Sequence, residues 1–363
     1  MPPEVLTRHG PLSDAEGMTS ESGAAGALAG AAAAAGLAPS VHNTQPWRWR
    51  VFRTRLDLFA DRSRQLGVAD PDGRLLMISC GAALHHARVA LAAEGWRPAV
   101  ARFPPGGDPD HLARLTPGEH VGVTEAATRL LRAAHQRRSD RRPVSDTPVP
   151  REALAAVRAA VETENCHLHI LHPEQVSDLA VAAGRADELE REQHALRAEL
   201  AFWVGGPRTG GTGVPDTVIP AQPSASPVPQ RDFGRAGTLP TGPPTGMPTA
   251  APTAAPTADR AATYAVVFGE QDGPPAWLRA GEALSAAWLT ACERGMSLLP
   301  FTAPMELAAT RTILRRLLVG LGHPYLVVRL GMADRGRADL PPTPRLPAAQ
   351  TVEIVEADGD TAG

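Results

Sequence analysis

From about Gly205 to Asp259 the chain changes composition abruptly to Pro, Gly, Thr, Ala and Ser, ending in the near-repeat PTAAPTAAPTA. Such a segment carries too little apolar side chain to offset its ordering entropy, so its expected state is a flexible linker, a loop or a lid. Patterned sequence resumes after it, so the fold has to be assembled from stretches on both sides of the break. An interruption this long inside a domain is uncommon and marks either disorder or a functional lid.

The flanking sequence alternates helical and extended patterns. Residues 1–22 read as a disordered leader, and the alanine-rich run 23–36 as a helix by propensity. WRWRVFR alternates with period two and LDLFA follows as its hairpin partner. DPDG is a turn and helix-start signal leading into a helix from about Arg74 to Glu94, and WRPAVAR reads as a further strand. A second set begins near residue 123: TEAATRLLRAAHQ is helical, RRSDRRPVSDTPVP is a basic loop, REALAAVRAAVE is helical, CHLHIL is extended, and helix follows to Trp203. Beyond the break, ATYAVVF and YLVVRL read as strands and PAWLRAGEALSAAWLTACERG and MELAATRTILRRLL as helices, before a soft tail.

Composition excludes several classes. The net charge of −3 offers no field for nucleic acid or an anionic membrane. All 36 basic residues are arginine, which reads as codon bias, so the total carries no functional meaning. Three scattered cysteines, Cys80, Cys166 and Cys292, fit a reducing compartment better than a disulfide framework. The beginning MPPEVLTRHGPLSDAEG lacks the basic start and apolar core of a signal peptide, and the apolar run Ala24–Ala35 is short of the roughly 18–20 residues that span a bilayer. A cytoplasmic protein is expected, with neither nucleic acid nor membrane as partner.

Two loops carry candidate chemistry. LAPSVHNTQPWRWR, residues 37–50, packs a proline and short polar groups between an apolar helix and a tryptophan-rich strand. Ser40 and Asn43 serve equally well there as turn and capping residues. In RRSDRR, the guanidinium forks of Arg137, Arg138 and Arg141 with the Ser139 hydroxyl suit a phosphate dianion. Taken alone, the same residues read more readily as a solvated basic helix end. His167 and His169 share one face of a strand and Cys166 the other, so they supply no tetrahedral metal site, and His85-His86 reads as helix surface and core edge. G-x-G-x-x-G, Walker, G-x-S-x-G and H-E-x-x-H motifs are absent from the sequence, which assigns the chemistry to a cofactor rather than to a side-chain triad.

Together these loops resemble the nitroreductase family of FMN flavoproteins. APSVHNTQPWRW is similar to the family segment P-S-x-x-N-x-Q-P-W, and RRSDR to its R-R-S-x-R, here in reversed order. One family flavin site takes R-R-S, a glycine-to-proline loop and a C-terminal arginine from one subunit, and P-S-x-x-N from the other. RRSDR, Gly295–Pro300 of RGMSLLP and Arg345 of PPTPRLP lie in the second half of this chain and PSVHN in the first. RGMSLLP departs from the family loop in lacking its usual second glycine.

The resemblance therefore implies an α+β, nitroreductase-like fold: a mixed central sheet flanked by helices, with two fused halves forming an intramolecular pseudo-dimer, as in the actinobacterial Acg-like branch, with ISCGAAL and PPTPR as further matches. The implied divisions are 23–122, a truncated first half; 123–347, a second half interrupted by 205–259; and 348–363, a tail. One FMN per chain is expected, because neither half carries both motifs. Arg137, Arg138, Ser139, Arg141 and Arg345 would hold the ribityl phosphate, and Pro39, Ser40, Val41, His42 and Asn43 would touch the isoalloxazine, with Gln45, Pro46 and Trp47 supporting the loop. The implied activity is ping-pong hydride transfer from NAD(P)H through flavin N5 to a nitroaromatic, quinone or similar small-molecule acceptor, in a chain that acts as a monomer. The alternative is an FMN-sequestering protein whose lid closes the site.

Overall fold

A computed structural model of the protein describes residues 13–206, 210–219, 226–231, 259–334, 336 and 340–356, with only the backbone described for 13–22. The chain begins with helix α1 (Ser13–Ala35), so the latter part of the segment expected to be a disordered leader is helical; residues 1–12 lie outside the described residues. The hairpin of β1 (Trp47–Val51) and β2 (Leu56–Ala60) follows, with Trp47 and Trp49 fully buried while Arg48 and Arg50 face out, as period-two alternation requires. Asp70 then caps α2 (Arg74–Ala93), its two carboxylate oxygens accepting from the amides of Leu75 (3.0 Å) and Leu76 (2.9 Å). Strands β3 (Trp96–Arg102) and β4 (His111–His120) complete the first half. Nothing in HLARLTPGEH reads as a strand because Pro117-Gly118 breaks its alternation; Gly118 sits at φ 71° and the register against β3 slips there.

The second half runs through α3 (Glu125–Gln136), α4 (Arg151–Glu162), β5 (His167–Ile170), α5 (Pro173–Glu192) and α6 (His194–Trp203), then β6 (Thr263–Gly269), α7 (Pro274–Glu293) and β7 (Met296–Phe301). MELAATRTILRRLL, expected as one helix, is broken at an extended Leu307 into α8 (Ala303–Glu306) and α9 (Ala308–Leu317). Strand β8 (His323–Met332) follows, and the expected soft tail contains β9 (Val352–Ile354), which crosses back to pair in parallel with β1.

The α+β class is as expected, but the strands form two sheets rather than one central sheet. Their orders are β3-β4-β2-β1-β9 and β7-β8-β6-β5, the same arrangement twice with β9 added to the first. The first sheet is mixed, with β9 parallel and the other pairs antiparallel. A step of 200 residues relates the central elements of the two halves: α2 starts at Arg74 and α7 at Pro274, and β3 starts at Trp96 and β7 at Met296. Gly81, Leu84, Ala87 and Gly95 recur as Gly281, Leu284, Ala287 and Gly295.

Helices α2 and α7 pack together at the centre, backbone against backbone. A Cβ on Gly81 would stand 1.9 Å from the Leu278 carbonyl oxygen, and one on Gly281 would stand 2.0 Å from that of Ile78. Helix α2 is the one described helix long and apolar enough to cross a bilayer, and it is enclosed by protein. The hairpin turn between β1 and β2 is four residues; at the equivalent point between β5 and β6 the second half carries residues 171–262.

Candidate functional site

A cleft opens between the halves. Its floor comes from both central helices, Leu75, Ile78 and Ser79 of α2 and Leu284 and Trp288 of α7. One wall is Pro39, Ser40, Val41 and His42, and the facing side holds Ser139 and Arg141 with Leu299 and Pro300 of β7. Gly295–Pro300, expected as a loop, is thus a turn at Gly295 and an edge strand, where a proline costs no ladder hydrogen bond.

The loop 37–46 is built by strain and side-chain hydrogen bonds. His42 (φ 43°), Asn43 (φ 56°) and Gln45 (φ 51°) all adopt left-handed backbone, which costs free energy for non-glycine residues and persists only where the surroundings fix it. They do so here: Ser40 Oγ accepts from the Gln45 amide (2.9 Å), Ser79 Oγ of α2 accepts from the Val41 amide (3.2 Å), and Cys80 Sγ donates to the Pro46 carbonyl (3.1 Å). Asn43 turns away from the cleft; its Nδ2 donates to Gly213 O (3.1 Å) and Pro344 O (2.9 Å) and its Oδ1 accepts from Arg345 Nη1 (3.0 Å). Gln45 bridges the same seam, donating to Gly211 O (2.8 Å) and accepting from the Leu346 amide (3.0 Å).

Behind this loop three arginines gather. Arg137 Nη2 and Arg345 Nη2 both donate to the Leu37 carbonyl, at 3.2 and 3.3 Å. Arg138 closes the end of α3, donating to His135 O and Arg137 O. Burial, reinforced by neighbouring Arg345, draws Arg137 down to about 9, and burial with Arg138 draws Arg345 down to about 10. Both stay charged at neutral pH. The Nε of Arg137 and of Arg345 are buried without a hydrogen-bond partner among the described residues. Arg137 lies over the ring of Trp288 (4.4 Å), which itself lines the cleft, so the cluster adjoins the cleft wall. Of the residues expected at the site, Pro39, Ser40, Val41, His42, Ser139 and Arg141 line the cleft, while Asn43, Arg137, Arg138 and Arg345 form the seam behind it.

Two contributors escape sequence reading. Arg329 of β8, fully buried, pairs with Asp259 (2.8 Å) and donates to Asp140 O (2.9 Å) and Arg142 O (2.8 Å), fixing the RRSDRR loop from below. It reads in sequence as one more strand residue. The other is Arg231, in the part of the proline-rich segment that is described. Pro229, Gln230 and Arg231 line the cleft, and Arg231 is held by Glu306 of α8 and by Glu190 of α5 (3.0 Å). For Glu306, burial opposes ionisation but the Arg231 charge outweighs it and holds the carboxyl below its ordinary range. The described pieces 210–219 and 226–231 are therefore docked against the fold, while 232–258 lie outside the described residues.

The position related to the cleft by the 200-residue step is filled differently. Where α7 has Trp288, α2 has Arg88, which donates to Glu164 (2.7 Å) and Glu282 (2.8 Å); Arg102 donates to both oxygens of Glu282 (2.7 and 2.8 Å). Glu282, fully buried, stands where α2 has Ala82. His85 and His86, expected at helix surface and core edge, are both buried and share Ser285 Oγ, at 2.8 and 2.9 Å.

Among proteins of known sequence, the chain is 40% identical over 322 residues to a Mycobacterium tuberculosis H37Rv protein provisionally named NAD(P)H nitroreductase Rv3131, covering 88% of this chain and 89% of that protein. It is 30% identical over 323 residues to the NAD(P)H nitroreductase acg of the same strain, likewise provisionally named, covering 88% of this chain and 93% of that protein. No protein-family model matches. Solved structures superpose loosely: an FMN- and NADPH-dependent nitroreductase, NfnB, from sphigopyxis sp. strain HMH covers 62% of this chain and 97% of its own at 16% identity and a TM-score of 0.37, and the assignment does not rest on it.

Proposed function

The chain belongs to the nitroreductase family, and from that premise we propose that it is an NAD(P)H-dependent FMN oxidoreductase of the cytoplasm, holding one flavin per chain in the cleft between its halves. The observation that carries this reading is the cluster of Arg137, Arg138 and Arg345 beside the cleft, with two buried Nε donors unpartnered. Like charges gathered in a low-dielectric seam repel one another, and a phosphate dianion relieves both the repulsion and the unmet donors. The residues present thus fit the ribityl phosphate of FMN. Ser139 and Arg141 would reach the same group from the cleft side, and Ser40, Val41 and His42 would border the ring system.

When bound, FMN supplies ping-pong hydride chemistry between NAD(P)H and a nitroaromatic, quinone or similar acceptor. The protein's own residues do the rest. The apolar floor of Leu75, Ile78, Leu284 and Trp288 excludes water and matches a flat ring, and the strained loop 37–46 fixes the polar edge. The two-sheet repeat supports reading the chain as an internal pseudo-dimer that acts as a monomer, and the Arg88–Glu282–Arg102 network at the related position supports a single flavin.

A second reading is favoured by the docking of Pro229–Arg231 at the cleft: a flavin-sequestering protein whose closed segment shields the cofactor from NAD(P)H and acceptors. One experiment separates the two. The visible spectrum of the purified chain gives the flavin stoichiometry, and anaerobic addition of NAD(P)H follows. A one-per-chain flavin band that bleaches and returns with menadione or a nitrofuran establishes the reductase. A band that only dithionite bleaches establishes sequestration, and a colourless protein that takes up no FMN refutes both.

A further inference from the structure

The phosphate assignment leaves Arg231 unused, although it is buried beside the cleft with a histidine as one neighbour. We propose that Arg231 is a positioning residue that fixes His42 as its Nδ1–H tautomer, making the docked piece of the insert part of the redox site. What His42 faces rests on the flavin reading; how Arg231 sets the ring does not.

A guanidinium has five donors and no acceptor, so the contact of 3.1 Å between Arg231 Nη1 and His42 Nε2 leaves Nε2 only the accepting role. The ring proton then sits on Nδ1. Arg231 is not free to swing away and release the ring. Its two terminal nitrogens span the Glu306 carboxylate, with Nη1 2.9 Å from Oε1, and its Nε is 3.0 Å from Glu190 Oε2. A planar fork held on two carboxylates has one orientation, and that orientation aims a hydrogen at His42.

Burial, with the Arg231 charge beside it, draws the His42 ring down to about 3, so it is neutral throughout the physiological range. His42 lines the cleft, and with Nε2 committed to Arg231 its Nδ1–H is the one N–H donor the neutral ring has to offer there. A donor at that place favours a partner that gains electron density; the other tautomer would present a lone pair and disfavour it. Arg231 therefore gives His42 its polarity without touching the reacting atoms itself.

The test uses the full-length chain labelled with [15N]histidine, with the His42 signals assigned by their loss in His42→Gln. In the wild type His42 shows the neutral Nδ1–H pattern from pH 5 to 8, with or without FMN. Arg231→Met shifts it toward the Nε2–H form and weakens binding of reduced relative to oxidised FMN about tenfold, a fall of about 30 mV in midpoint potential. Arg231→Met/Glu306→Gln removes the more deeply buried of the two stranded carboxylates and is expected to give the same two shifts in a folded chain. A wild-type His42 with its proton on Nε2 overturns the proposal, as does an unchanged His42 pattern in either folded variant. If the wild type binds no FMN while the tautomer responds to Arg231 as stated, the positioning role stands and the flavin reading falls.

Discussion

Replacing Gly281 by alanine tests the central claim that the halves meet backbone to backbone. The added Cβ would stand 2.0 Å from the Ile78 carbonyl oxygen and 2.8 Å from Gly81 Cα, where ordinary contact begins at 3.4 Å. Neither neighbour is a flexible side chain, so α2 and α7 must part locally by about 1 Å, and forcing an extra methyl into a packed seam costs about 1–3 kcal/mol. Alanine's better helix propensity returns at most about 1 kcal/mol of that. Gly184 in α5 is the internal control, because an added Cβ there meets nothing within 4 Å and Gly184→Ala should gain about 0.5–1 kcal/mol. The same substitution, at two helical glycines of one chain, thus has opposite expected signs. Urea melts followed by circular dichroism read both. Because α2 and α7 supply the cleft floor, Gly281→Ala should also bind FMN more weakly, whereas Gly184→Ala should not. A Gly281→Ala midpoint at or above that of wild type would refute the close crossing.

Arg345→Ala and the pair Arg138→Ala/Ser139→Ala should each lose FMN during purification, with affinity by fluorescence titration about 10–100-fold weaker, as expected for charge-assisted phosphate contacts; yellow protein at full occupancy would sink the phosphate assignment. In β2, burial opposes ionisation of Asp57, but His111 at 3.4 Å and the hydrogen-bonded Arg114 guanidinium outweigh it and hold the carboxyl at about 2, against an ordinary value of 3.8. Its stabilisation is therefore full above about pH 4 and lost as pH falls through 2. Asp57→Asn should cost about 2–4 kcal/mol at pH 7 and converge on wild type near pH 2; a pH-independent difference would contradict this. Deleting residues 215–258 removes Arg231 and its neighbours from the cleft mouth, and NADPH oxidation should rise if the docked segment shields the flavin. Equal, vigorous rates with and without the segment would remove the lid.

Where one residue faces one environment, the sequence was readable. The alternation WRWRV, the capping aspartate of DPDG and the amphipathic α3 and α4 all report local burial, and their elements fall within a residue or two of expectation. Elements set by distant partners were not. Strand β9 is three residues whose reason for being extended is the open edge of β1, some 300 positions earlier. The break at Leu307 leaves Glu306 paired with Arg231, from the segment that composition alone marks as loose. The site shows the same division. PSVHN and RRSDR were visible as loops, and their neighbours in space, Trp288 under Arg137 and Arg329 under RRSDRR, sit in apolar runs that read only as core. The 200-residue repeat was legible in principle, but a few recurring, mostly small residues in and beside alanine-rich helices stand too little above background.

The two halves share a scaffold but differ in what they place around the central helices α2 and α7. Both halves supply a central helix and an equivalent sheet. Three changes break that equivalence, and all favour the same side. The long excursion of residues 171–262 departs from the second half's β5–β6 connection, where the first half has only a tight turn, and its α5 and residues 229–231 converge on the cleft that α7 lines with Trp288. The C-terminal crossing of Arg345 and β9 to the first half joins Arg345 to Arg137 at the Leu37 carbonyl. On the other side, exchanging tryptophan for arginine and alanine for glutamate turns the related floor into a buried ion network. Breaking such a network by removing one partner strands an uncompensated charge, at about 3–5 kcal/mol, so mutation cannot easily reopen that side. Because each half has its own sequence, the two sides can differ in this way, whereas in a homodimer a substitution on one side would appear on both.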